Sequence, residues 1–528
     1  MSAIPPAIPG LGWATLNKKK NYFQKGPKTL AIPMTVHRSA RKKTVDMMHA
    51  KGATCGLILI KGGMQLNQYD TDIEPVFRQD SWFNYLFGVK EPEFFGAVDL
   101  ATGKSTLFMP RLPEVYMVVM GSIHPPEHFK EMYDVDEVLY SDGLVDFLKQ
   151  NSSESAPIHA LQGLNTDSGL TVEPPTFEGS ENFRMDTSIL FHTLATARVT
   201  KNSEELEAMR YAAYVASNAH VQVMRSTNVG QMEYELEARF RYEIYANGGS
   251  RFAAYTSICA CGPNSAVLHY GHAAAPNERQ LTVNDMALLD MGADYHGYVS
   301  DITCSFPIRG TFSEDQKAVY NGVLNAQRAV MSMMAPGVSW LACHQAAERQ
   351  ILQALVEMGC LVGDVEQMMD DAMGGVFMPH GLGHLIGCDT HDVGGYLEDT
   401  PSREARAGWK SLRTARILEP NMVLTNEPGC YFIDYLLDQA LANPAQARHM
   451  NAEVLARFRG TGGVRLEDVV VVTETSVTNI TQCPRTIEEV ESVRAGGAWP
   501  PAFDAAPELR RTWAKLVDGG KEMVQYSL

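Results

Sequence analysis

Four acidic residues lie inside or at the ends of strand-like apolar runs in the second half of this chain. They are Asp290 in ALLDMG, Asp301 in YVSDITCSF, Glu427 in MVLTNEPG and Glu467 in VRLEDVVVV. Burying unpaired carboxylates is costly, and two of them ~4 Å apart repel by ~4 kcal/mol at an effective dielectric of about 20. No matching set of four Lys or Arg stands beside them, whereas two divalent cations would neutralise all four charges. The sequence therefore predicts that the fold gathers these acids around a pair of metal ions.

The length and composition indicate a globular protein of at least two domains. At 528 residues the chain is too long for one ordinary hydrophobic core, and 45% of its residues are apolar. The formal net charge of −17 disfavours partners that need a basic surface, so we expect neither nucleic acid nor a membrane as a partner. No apolar run is long enough to span a bilayer as a helix.

The N-terminal segment and the cysteines favour a cytoplasmic location. In MSAIPPAIPGLGWATLNKKK the basic cluster follows the weakly apolar part, which reverses the order found in a secretory signal. The nine cysteines are scattered and odd in number, as is typical of reduced thiols. We therefore expect a cytoplasmic protein without a disulfide framework.

Shifts in composition divide the chain into four predicted parts. Residues 1–30 are rich in Pro, Gly and Lys and predict an extended arm. Residues 31–195 predict a smaller α/β domain, with a buried strand in CGLILI, a hairpin in FFGAVDL and KSTLFMP, and a helix in LVDFLKQ. Residues 196–497 carry long amphipathic helices and then acid-bearing strands, which predicts an α+β domain with helices outside a curved antiparallel sheet. Residues 498–528 are predicted to form a peripheral tail.

Capping signals predict where two helices of residues 196–497 begin. Asn202 is followed three residues later by Glu205, and Ser313 is followed three residues later by Gln316. In such a pair each side chain bonds the other residue's backbone N–H, which satisfies donors left free at a helix start. Two further amphipathic helices are expected before Gly248 and before Gly359.

Three histidines lie close together between glycines. MPHGLGH places His380 and His384 four residues apart, but the intervening Gly-Leu-Gly disfavours the helix that a zincin motif requires. Glycine lets the backbone pass close to a site while a histidine reaches into it. His391 follows in THDVGGY. A lone histidine is more often a core residue, whereas three in this pattern favour a functional site.

The spacing around Arg465 predicts a partner for the inward-facing acids. Alternation in VRLEDVVVV places Arg465 and Glu467 on one face of a strand and Asp468 on the other. Arg465 can then orient a neighbouring ligand carboxylate. The alternative is a cross-strand ion pair without a metal. A donor set rich in oxygen with one imidazole suits hard or borderline ions such as Mn²⁺, although the sequence does not fix the metal.

These motifs resemble those of the pita-bread metallopeptidases, and within that family those of the eukaryotic Xaa-Pro dipeptidases, or prolidases. The resemblance covers about residues 70–500 and is specific because the order and the spacing of the motifs both agree. It implies a C-terminal pita-bread fold and hydrolysis of Xaa-Pro dipeptides. The motifs that carry it are FRQDSWFNYLFGVKEPE, TGKSTLFMPRLP, NSAVLHYGHAAAPN, LLDMGADYHGYVSDITCSF, MPHGLGH, HDVGGY, SLRTAR, LTNEPG and GGVRLED.

The resemblance also implies which residues bind metal. The ligands would be Asp290, Asp301, His384, Glu427 and Glu467, with Asp301 and Glu467 bridging two divalent ions. Glu427 would in addition act as the general base that activates a bridging water. Members of the family commonly work with Mn²⁺ and are usually homodimers, so two Mn²⁺ ions per subunit and a second copy of the chain are the expected cofactor and partner.

Further roles implied by the resemblance concern the substrate, a small peptide. His269 and His391 would contact the scissile region and stabilise the tetrahedral intermediate. His380 and Tyr255 would lie close by. Arg413 would hold the C-terminal carboxylate of the dipeptide, a contact for which a guanidinium is well suited.

Three other functions stay open at this point. Aminopeptidase P uses the same ligand set to remove an N-terminal residue before proline from longer peptides. A metal-free binding protein on the same scaffold is disfavoured by the intact set of five ligands. A creatinase-like amidinohydrolase would lack this ligand set.

Overall fold

The structure is a computed structural model that describes residues 21–273 and 277–528. Most of the predicted N-terminal arm, residues 1–20, lies outside the described residues, as do residues 274–276 of the NSAVLHYGHAAAPN segment. Within the described ranges, no helix combines the length and the apolar character needed to cross a membrane.

The described residues form two compact units, which divide next to Ala197. This division lies close to the domain boundary that the sequence predicts after residue 195. The division into four parts stays a prediction. Residues 516–523, within the predicted tail, belong to the first unit. The first unit comprises the residues up to 197, 202–205 and 516–523, and the second comprises residues 198–201, 206–515 and 524–528.

The first unit is built around a six-stranded mixed sheet. Its central strand Leu57–Lys61, expected from CGLILI, pairs antiparallel with Phe95–Asp99. Phe95–Asp99 pairs in turn with Ser105–Met109, which confirms the predicted hairpin. Leu57 and Leu59, two positions apart on one face of the sheet, belong to one buried apolar cluster. From edge to edge the strands are Met185–Asp186, Ile158–His159, Leu57–Lys61, Phe95–Asp99, Ser105–Met109 and Glu137–Tyr140.

Helices and shorter strands complete the first unit. The helix Leu144–Asn151 confirms the prediction made from LVDFLKQ. The shorter strands are Tyr22–Phe23, Ile32–Pro33, Gly163–Leu164 and Thr171–Val172. The other helices are Thr35–Ala50, Ser81–Phe87, Tyr116–Met120, Pro126–Tyr133 and Leu190–Val199, the last of which runs across the division between the units.

Two long helices after residue 200 begin where the capping signals predict. Asn202 and Glu205 exchange hydrogen bonds at the start of the helix Ser203–Ser226, and Ser313 opens the helix Glu314–Met333 in the same way. Two further long helices are Glu233–Ala246 and Trp340–Glu357. Shorter helices are Val365–Asp370, Gly374–Phe377, Asp434–Ala442, Pro444–Ala447, Ala452–Leu455 and Ile487–Arg494.

The strands of the second unit pair antiparallel, so the α+β class predicted from the sequence is confirmed. One three-stranded sheet has Met286–Asp290 between Ile258–Cys261 and Thr303–Pro307. Another has Asp468–Val472 between Val423–Asn426 and Val477–Asn479. The remaining strands are Phe252–Ala253, Ala293–Tyr295, Tyr298–Val299, Gly429–Tyr431 and Gly463–Arg465. The C-terminal strands Ala514–Val517 and Glu522–Gln525 pair with each other and contain residues of both units.

The run VRLEDVVVV is not the single continuous strand that the sequence predicted. Gly463–Arg465 pairs with Gly429–Tyr431, whereas Asp468–Val472 pairs with Val423–Asn426. The ladder breaks opposite Pro428, because proline has no N–H to donate. Both strands of the pair therefore break at one place, and each break carries an acid that the sequence singled out.

The predicted C-terminal tail contains fully buried side chains. Arg511 donates hydrogen bonds to Glu489 at 2.6 and 2.9 Å and also to Asp504, and the indole of Trp513 is buried beside it. A buried arginine needs such carboxylate partners to offset its loss of hydration. The segment after residue 497 is therefore packed against the second unit as far as Trp513.

Candidate metal centre

Two strands of one sheet bring Asp290 and Asp301 to the same place. Asp290 is the last residue of Met286–Asp290 and pairs in register with Thr303. Asp301 stands two residues before Thr303, at the start of the neighbouring strand. The hydroxyl of Tyr255 is hydrogen-bonded to both carboxylates. The predicted connection through GADYHGYVS thus joins two acids that face one point.

A close backbone approach places His384 beside Glu427. The N–H of Thr425 donates to the carbonyl of His384 at 3.0 Å, and the N–H of Glu427 donates to the carbonyl of Leu382 at 2.9 Å. A Cβ on Gly383 would lie only 2.1 Å from the carbonyl oxygen of Thr425, so this position needs glycine. The glycines of MPHGLGH therefore let the histidine segment lie directly on the strand that ends at Glu427.

Three of the predicted ligands converge most tightly. Asp301, His384 and Glu467 each offer one ligand atom, and these three atoms all lie within 4.8 Å of one another. His384 Nε2 is 3.4 Å from an oxygen of Asp301 and 3.5 Å from an oxygen of Glu427. Asp290 joins the cluster through Tyr255. The structure therefore brings all five sequence-predicted ligands into one largely buried site.

Arg465 holds the cluster from one side. Its guanidinium donates to Asp290 at 2.6 Å, to the hydroxyl of Tyr431 at 2.7 Å and to Thr303 at 3.1 Å. The hydroxyl of Thr303 in turn donates a hydrogen bond to Glu467 at 2.7 Å. The sequence singled out Arg465 but not Thr303 or Tyr431. The signal for Thr303 was its position in SDITCSF, two residues from Asp301 and therefore on the same face of an extended segment.

Burial and mutual repulsion shift the acids of the site toward their neutral forms. Burial and the charge of Asp301 raise the pKa of Asp290 to about 6. Burial likewise raises the pKa of Glu427 to about 7, and it raises that of Glu467 well above its ordinary value. Burial acts on Asp301 in the same direction, but the hydrogen bond and charge of His384, the hydrogen bond from Tyr255 and the charge of His391 together outweigh burial and lower the pKa of Asp301. These shifts are typical of carboxylates gathered without enough positive charge.

The donor set fits a pair of divalent ions. In the described part of the chain, Arg465 is the one Arg or Lys that pairs with any of the four carboxylates, and a phenol such as Tyr255 has a single proton to share. One guanidinium and one imidazole do not balance four negative charges in a buried site. Four carboxylates with an imidazole and no thiolate are the ligands of hard or borderline cations.

Two of the other predicted histidines lie against the cluster. His380 Nδ1 is 3.9 Å from Glu427, and His380 Nε2 is 3.0 Å from the hydroxyl of Tyr431. The ring of His391 meets that of His384 edge to face, with 4.5 Å between centroids. Burial lowers the pKa of His380 to about 3 and that of His391 to about 2, so both imidazoles are neutral at physiological pH. A neutral imidazole can accept or donate one hydrogen bond at each nitrogen.

His269 and Arg413 stand further out. His269 is exposed to solvent, and its ring lies 5.4 Å from that of His272. Burial lowers the pKa of His269, and the nearby charges of His272, Arg413 and Arg465 lower it further. The charges of His269 and Arg413 also lower the pKa of His391. Both predicted substrate residues therefore lie within electrostatic reach of His391 at the centre.

The arrangement combines a set of cation ligands with side chains that can accept protons or donate hydrogen bonds. Glu427 has a pKa near neutrality and an oxygen beside His384, so it can take up and return a proton at physiological pH. The neutral histidines can stabilise developing negative charge by donating hydrogen bonds. A centre of this kind suits hydrolysis of a carbonyl compound.

Two family profiles match the chain. Metallopeptidase family M24 matches residues 207–474, which include all five predicted ligands. Aminopeptidase P, N-terminal domain, matches residues 37–159. Together they cover the central part of each compact unit.

Curated proteins that resemble this chain act on bonds before proline, to judge by their names. The Xaa-Pro dipeptidases of Homo sapiens and Mus musculus are each 48% identical to it over 476 residues, which is 90% of this chain and 96% of theirs. The probable Xaa-Pro aminopeptidase of Phaeosphaeria nodorum is 34% identical over 460 residues, which is 87% of this chain and 96% of that protein.

Solved structures give the same fold. Aminopeptidase PepP of Pseudomonas aeruginosa matches with a TM-score of 0.71 and 30% identity, covering 88% of this chain and 98% of that one. Zinc-substituted aminopeptidase P of E. coli, solved with product, matches with a TM-score of 0.71 and 28% identity, covering 88% and 99%. The expected pita-bread fold is thereby confirmed. On its sequence, its fold and its buried donor set, this chain belongs to metallopeptidase family M24.

Proposed function

We propose that this chain is an Xaa-Pro dipeptidase that works with two divalent metal ions. The observation that carries the proposal is the buried convergence of Asp301, His384 and Glu467 within 4.8 Å, with Asp290 and Glu427 beside them. The substrate class is drawn from the mammalian Xaa-Pro dipeptidases, which are similar over nine-tenths of the chain.

The five clustered side chains are the proposed metal ligands. Asp301 and Glu467 would hold the ions together with His384, because all three lie in the tightest group and all three are buried. Mn²⁺ is the proposed metal, since oxygen ligands with one imidazole suit it. What a divalent pair supplies when bound is polarisation of the substrate carbonyl and a water of lowered pKa.

Residues of the chain carry out the proposed proton transfers. Glu427 is the proposed general base, because its carboxyl lies within the cluster, 3.5 Å from His384 Nε2, where it can both accept a proton from water and give it to the departing nitrogen. Thr425 Oγ1 lies 3.2 Å from Glu427 Oε1 and His380 stands near the other oxygen, so both orient this carboxyl.

Substrate recognition is assigned to His269, His391 and Arg413. The histidines would donate hydrogen bonds to the scissile region, where oxyanion character develops. Arg413 would pair with the free carboxylate at the C-terminus of the substrate, which would measure the length of a dipeptide. Tyr255 is assigned to the centre itself, because its hydroxyl holds Asp290 and Asp301 together.

The assembly and the location of the protein are part of the proposal. A homodimer is proposed on the resemblance to the prolidases, and a cytoplasmic location on the nine cysteines, all of which are free thiols and eight of which are buried. Small peptides are the proposed partners; nucleic acid and membranes are not, since the net charge of −17 disfavours both.

Aminopeptidase P activity is the second candidate. It is favoured by the match of residues 37–159 to an aminopeptidase P domain and by the similar aminopeptidase P structures. The two activities differ in whether the residue after the scissile bond has a free carboxylate. Purified protein loaded with Mn²⁺ should therefore be given Gly-Pro and Gly-Pro-Leu at equal concentration. Faster turnover of Gly-Pro supports the dipeptidase, and faster turnover of the tripeptide overturns it.

A further inference from the structure

The loop that carries His269 is held by the first turns of one helix. It leaves the strand Ile258–Cys261 and returns at Arg279, next to the start of the helix Glu233–Ala246. We propose that Glu233 and Glu237 are positioning residues for His269, which tie this loop to the helix and so fix the imidazole beside the metal centre. The inference rests on the proposed role of His269 in binding substrate.

Glu233 accepts hydrogen bonds from several of the described residues in and next to the loop. It is fully buried, and both of its carboxylate oxygens accept hydrogen bonds. Oε1 accepts from the N–H of Cys261 at 2.7 Å and from the Asn264 amide at 3.1 Å. Oε2 accepts from the hydroxyl of Tyr270 at 2.7 Å and from the N–H of Arg279 at 3.1 Å. One carboxylate therefore joins the beginning, the middle and the end of the loop.

In the described part of the chain, no Lys, Arg or His side chain forms an ion pair with Glu233. Glu233 has no ion pair within 4.0 Å there, because the guanidinium of the nearby Arg279 donates to both oxygens of Asp285. A buried carboxylate that depends on neutral donors is stabilised only while those donors converge on it. The charge of Glu233 therefore favours one arrangement of the loop over others.

The backbone at the start of the helix reinforces the attachment. The N–H groups of Glu233 and Tyr234 have no partner within the helix, and they donate to the carbonyls of Arg279 at 3.0 Å and Asn277 at 2.7 Å. Glu237, one turn further on, accepts from the amide of Asn277 at 2.6 Å. Asn277 has a φ of +56°, a left-handed conformation that needs such local support.

The attachment reaches His269 through its two neighbours. Leu268 and Tyr270 pack against a buried cluster that includes Tyr431, whereas His269 between them is exposed. Tyr431 in turn contacts Arg465 and His380 at the metal centre. Tyr270 is thus both a donor to Glu233 and a residue packed against the cluster that includes Tyr431, so a shift of Glu233 should be carried to the adjacent imidazole.

Glu233→Gln is the first test. The amide would point an N–H₂ group at atoms that are themselves donors, so the loop should shift. With Gly-Pro as substrate, kcat/KM should fall about 10- to 100-fold, the range expected for a small misplacement of a contacting group. The affinity for Mn²⁺ should not change, because the loop carries no predicted ligand. Glu235→Gln is the matched control, since Glu235 is exposed and bonds only at its own helix start.

Tyr270→Phe is the milder variant and carries the same test should Glu233→Gln fail to fold. It removes one donor to Glu233 and keeps the aromatic packing, so a smaller fall in kcat/KM with unchanged Mn²⁺ affinity is expected. A fall in Mn²⁺ affinity equal to the fall in kcat/KM would overturn the proposal, because it would show a general loosening of the site.

A double-mutant cycle tests whether Glu233 acts through His269. In a His269→Ala background, Glu233→Gln should cause little further loss, because the group that it positions is already gone. A second loss as large as the first would overturn the proposal.

A structural readout separates this inference from the proposed function. Selective ¹³C labelling of histidine rings gives a His269 signal, which is assigned by its disappearance in His269→Ala. That signal should move in Glu233→Gln and stay in place in Glu235→Gln; an unmoved signal in Glu233→Gln would overturn the proposal whatever the activity. If the signal moves but the wild-type protein cleaves no Xaa-Pro dipeptide, the proposed function fails and the positioning stands.

Discussion

Arg465 donates a hydrogen bond of 2.6 Å to Asp290, and it reaches Glu467 through the hydroxyl of Thr303. The side chain is 5% exposed, so its charge is screened little by solvent. Burial and the charge of Asp301 raise the pKa of Asp290, and Arg465 limits that rise. One guanidinium thus orients two proposed ligands that are 177 positions apart in the sequence.

Replacing Arg465 should weaken metal binding more than it weakens the fold. In Arg465→Met the carboxylate of Asp290 loses its donor and the pKa of Asp290 rises further, so protons compete better with the metal. We expect the affinity for Mn²⁺ to fall about 10- to 100-fold in equilibrium titrations, the range found when partners of metal ligands are removed. Arg457→Met, at an exposed ion pair with Asp315, is the control. An unchanged affinity in Arg465→Met would show that the guanidinium is not needed to orient the ligands.

Asp301→Asn should abolish activity. The amide keeps the shape of the side chain but removes the charge of a proposed bridging ligand, one of the three closest donors. We expect turnover of Gly-Pro to fall by at least ~10³-fold, since a neutral amide cannot replace a bridging carboxylate, and the amount of bound metal to fall with it. Asp315→Asn, at a surface ion pair, should behave as wild type. Turnover close to normal in Asp301→Asn would remove Asp301 from the ligand set.

Metal binding should release fewer protons as the pH rises. Metal ligands must be deprotonated, and the pKa of Glu427 is about 7 and that of Asp290 about 6 in the metal-free protein. Both groups are substantially protonated at pH 6 and mostly ionised at pH 8. The number of protons released per site should therefore fall by roughly one between these pH values, and the apparent affinity should rise.

Calorimetry in two buffers of different ionisation enthalpy counts these protons. The same titration on Arg457→Met should give the wild-type count. A proton count that does not change between pH 6 and pH 8 would mean that neither Glu427 nor Asp290 is displaced from its proton by the metal.

Arg413→Ala should discriminate between substrates by length. If Arg413 holds the C-terminal carboxylate next to the scissile bond, its loss mainly raises KM for Gly-Pro, by about 10- to 100-fold for a charge-assisted bidentate contact. Gly-Pro-Leu places no carboxylate there and should lose little. Arg403→Ala is the control, because Arg403 lies on the same segment and donates to the carbonyl of Leu412. Equal losses on both peptides in Arg413→Ala would show that Arg413 is structural.

The acids and the helix starts could be predicted from the sequence because local rules govern them. A carboxylate within an apolar strand is costly wherever the strand lies, so Asp290 and Glu427 stand out without any knowledge of the fold. Ser313 with Gln316 predicts a helix start because the two residues satisfy each other's backbone. Both kinds of inference need only a few neighbouring residues.

Contacts between distant segments could not be predicted. Thr303 meets Glu467 across 164 positions and Tyr431 meets Arg465 across 34, and neither residue type stands out in its own strand. Asn426 looks out of place beside Glu427 in an apolar run, yet its amide donates to the carbonyl of Gln327 at 3.2 Å on the adjacent helix. Such pairs follow from the packing of strands and helices, which a single sequence does not specify.

The break within VRLEDVVVV shows an intermediate case. The sequence predicts an extended segment, and it also contains Pro428, which cannot donate to a strand ladder. The effect of the proline on the strand break at Glu467 can be recognised only once it is known that these two segments pair. The register in which the two segments pair determines where the strand is interrupted.

Anomalous X-ray scattering from crystals grown with Mn²⁺ tests the metal centre most directly. Data recorded on both sides of the manganese absorption edge locate each ion and identify the element. We expect two manganese peaks per subunit, both within coordinating distance of Asp301 and Glu467, with Asp290, His384 and Glu427 completing the ligands. No peak among these five side chains, in crystals whose protein cleaves Gly-Pro, would contradict the dinuclear site.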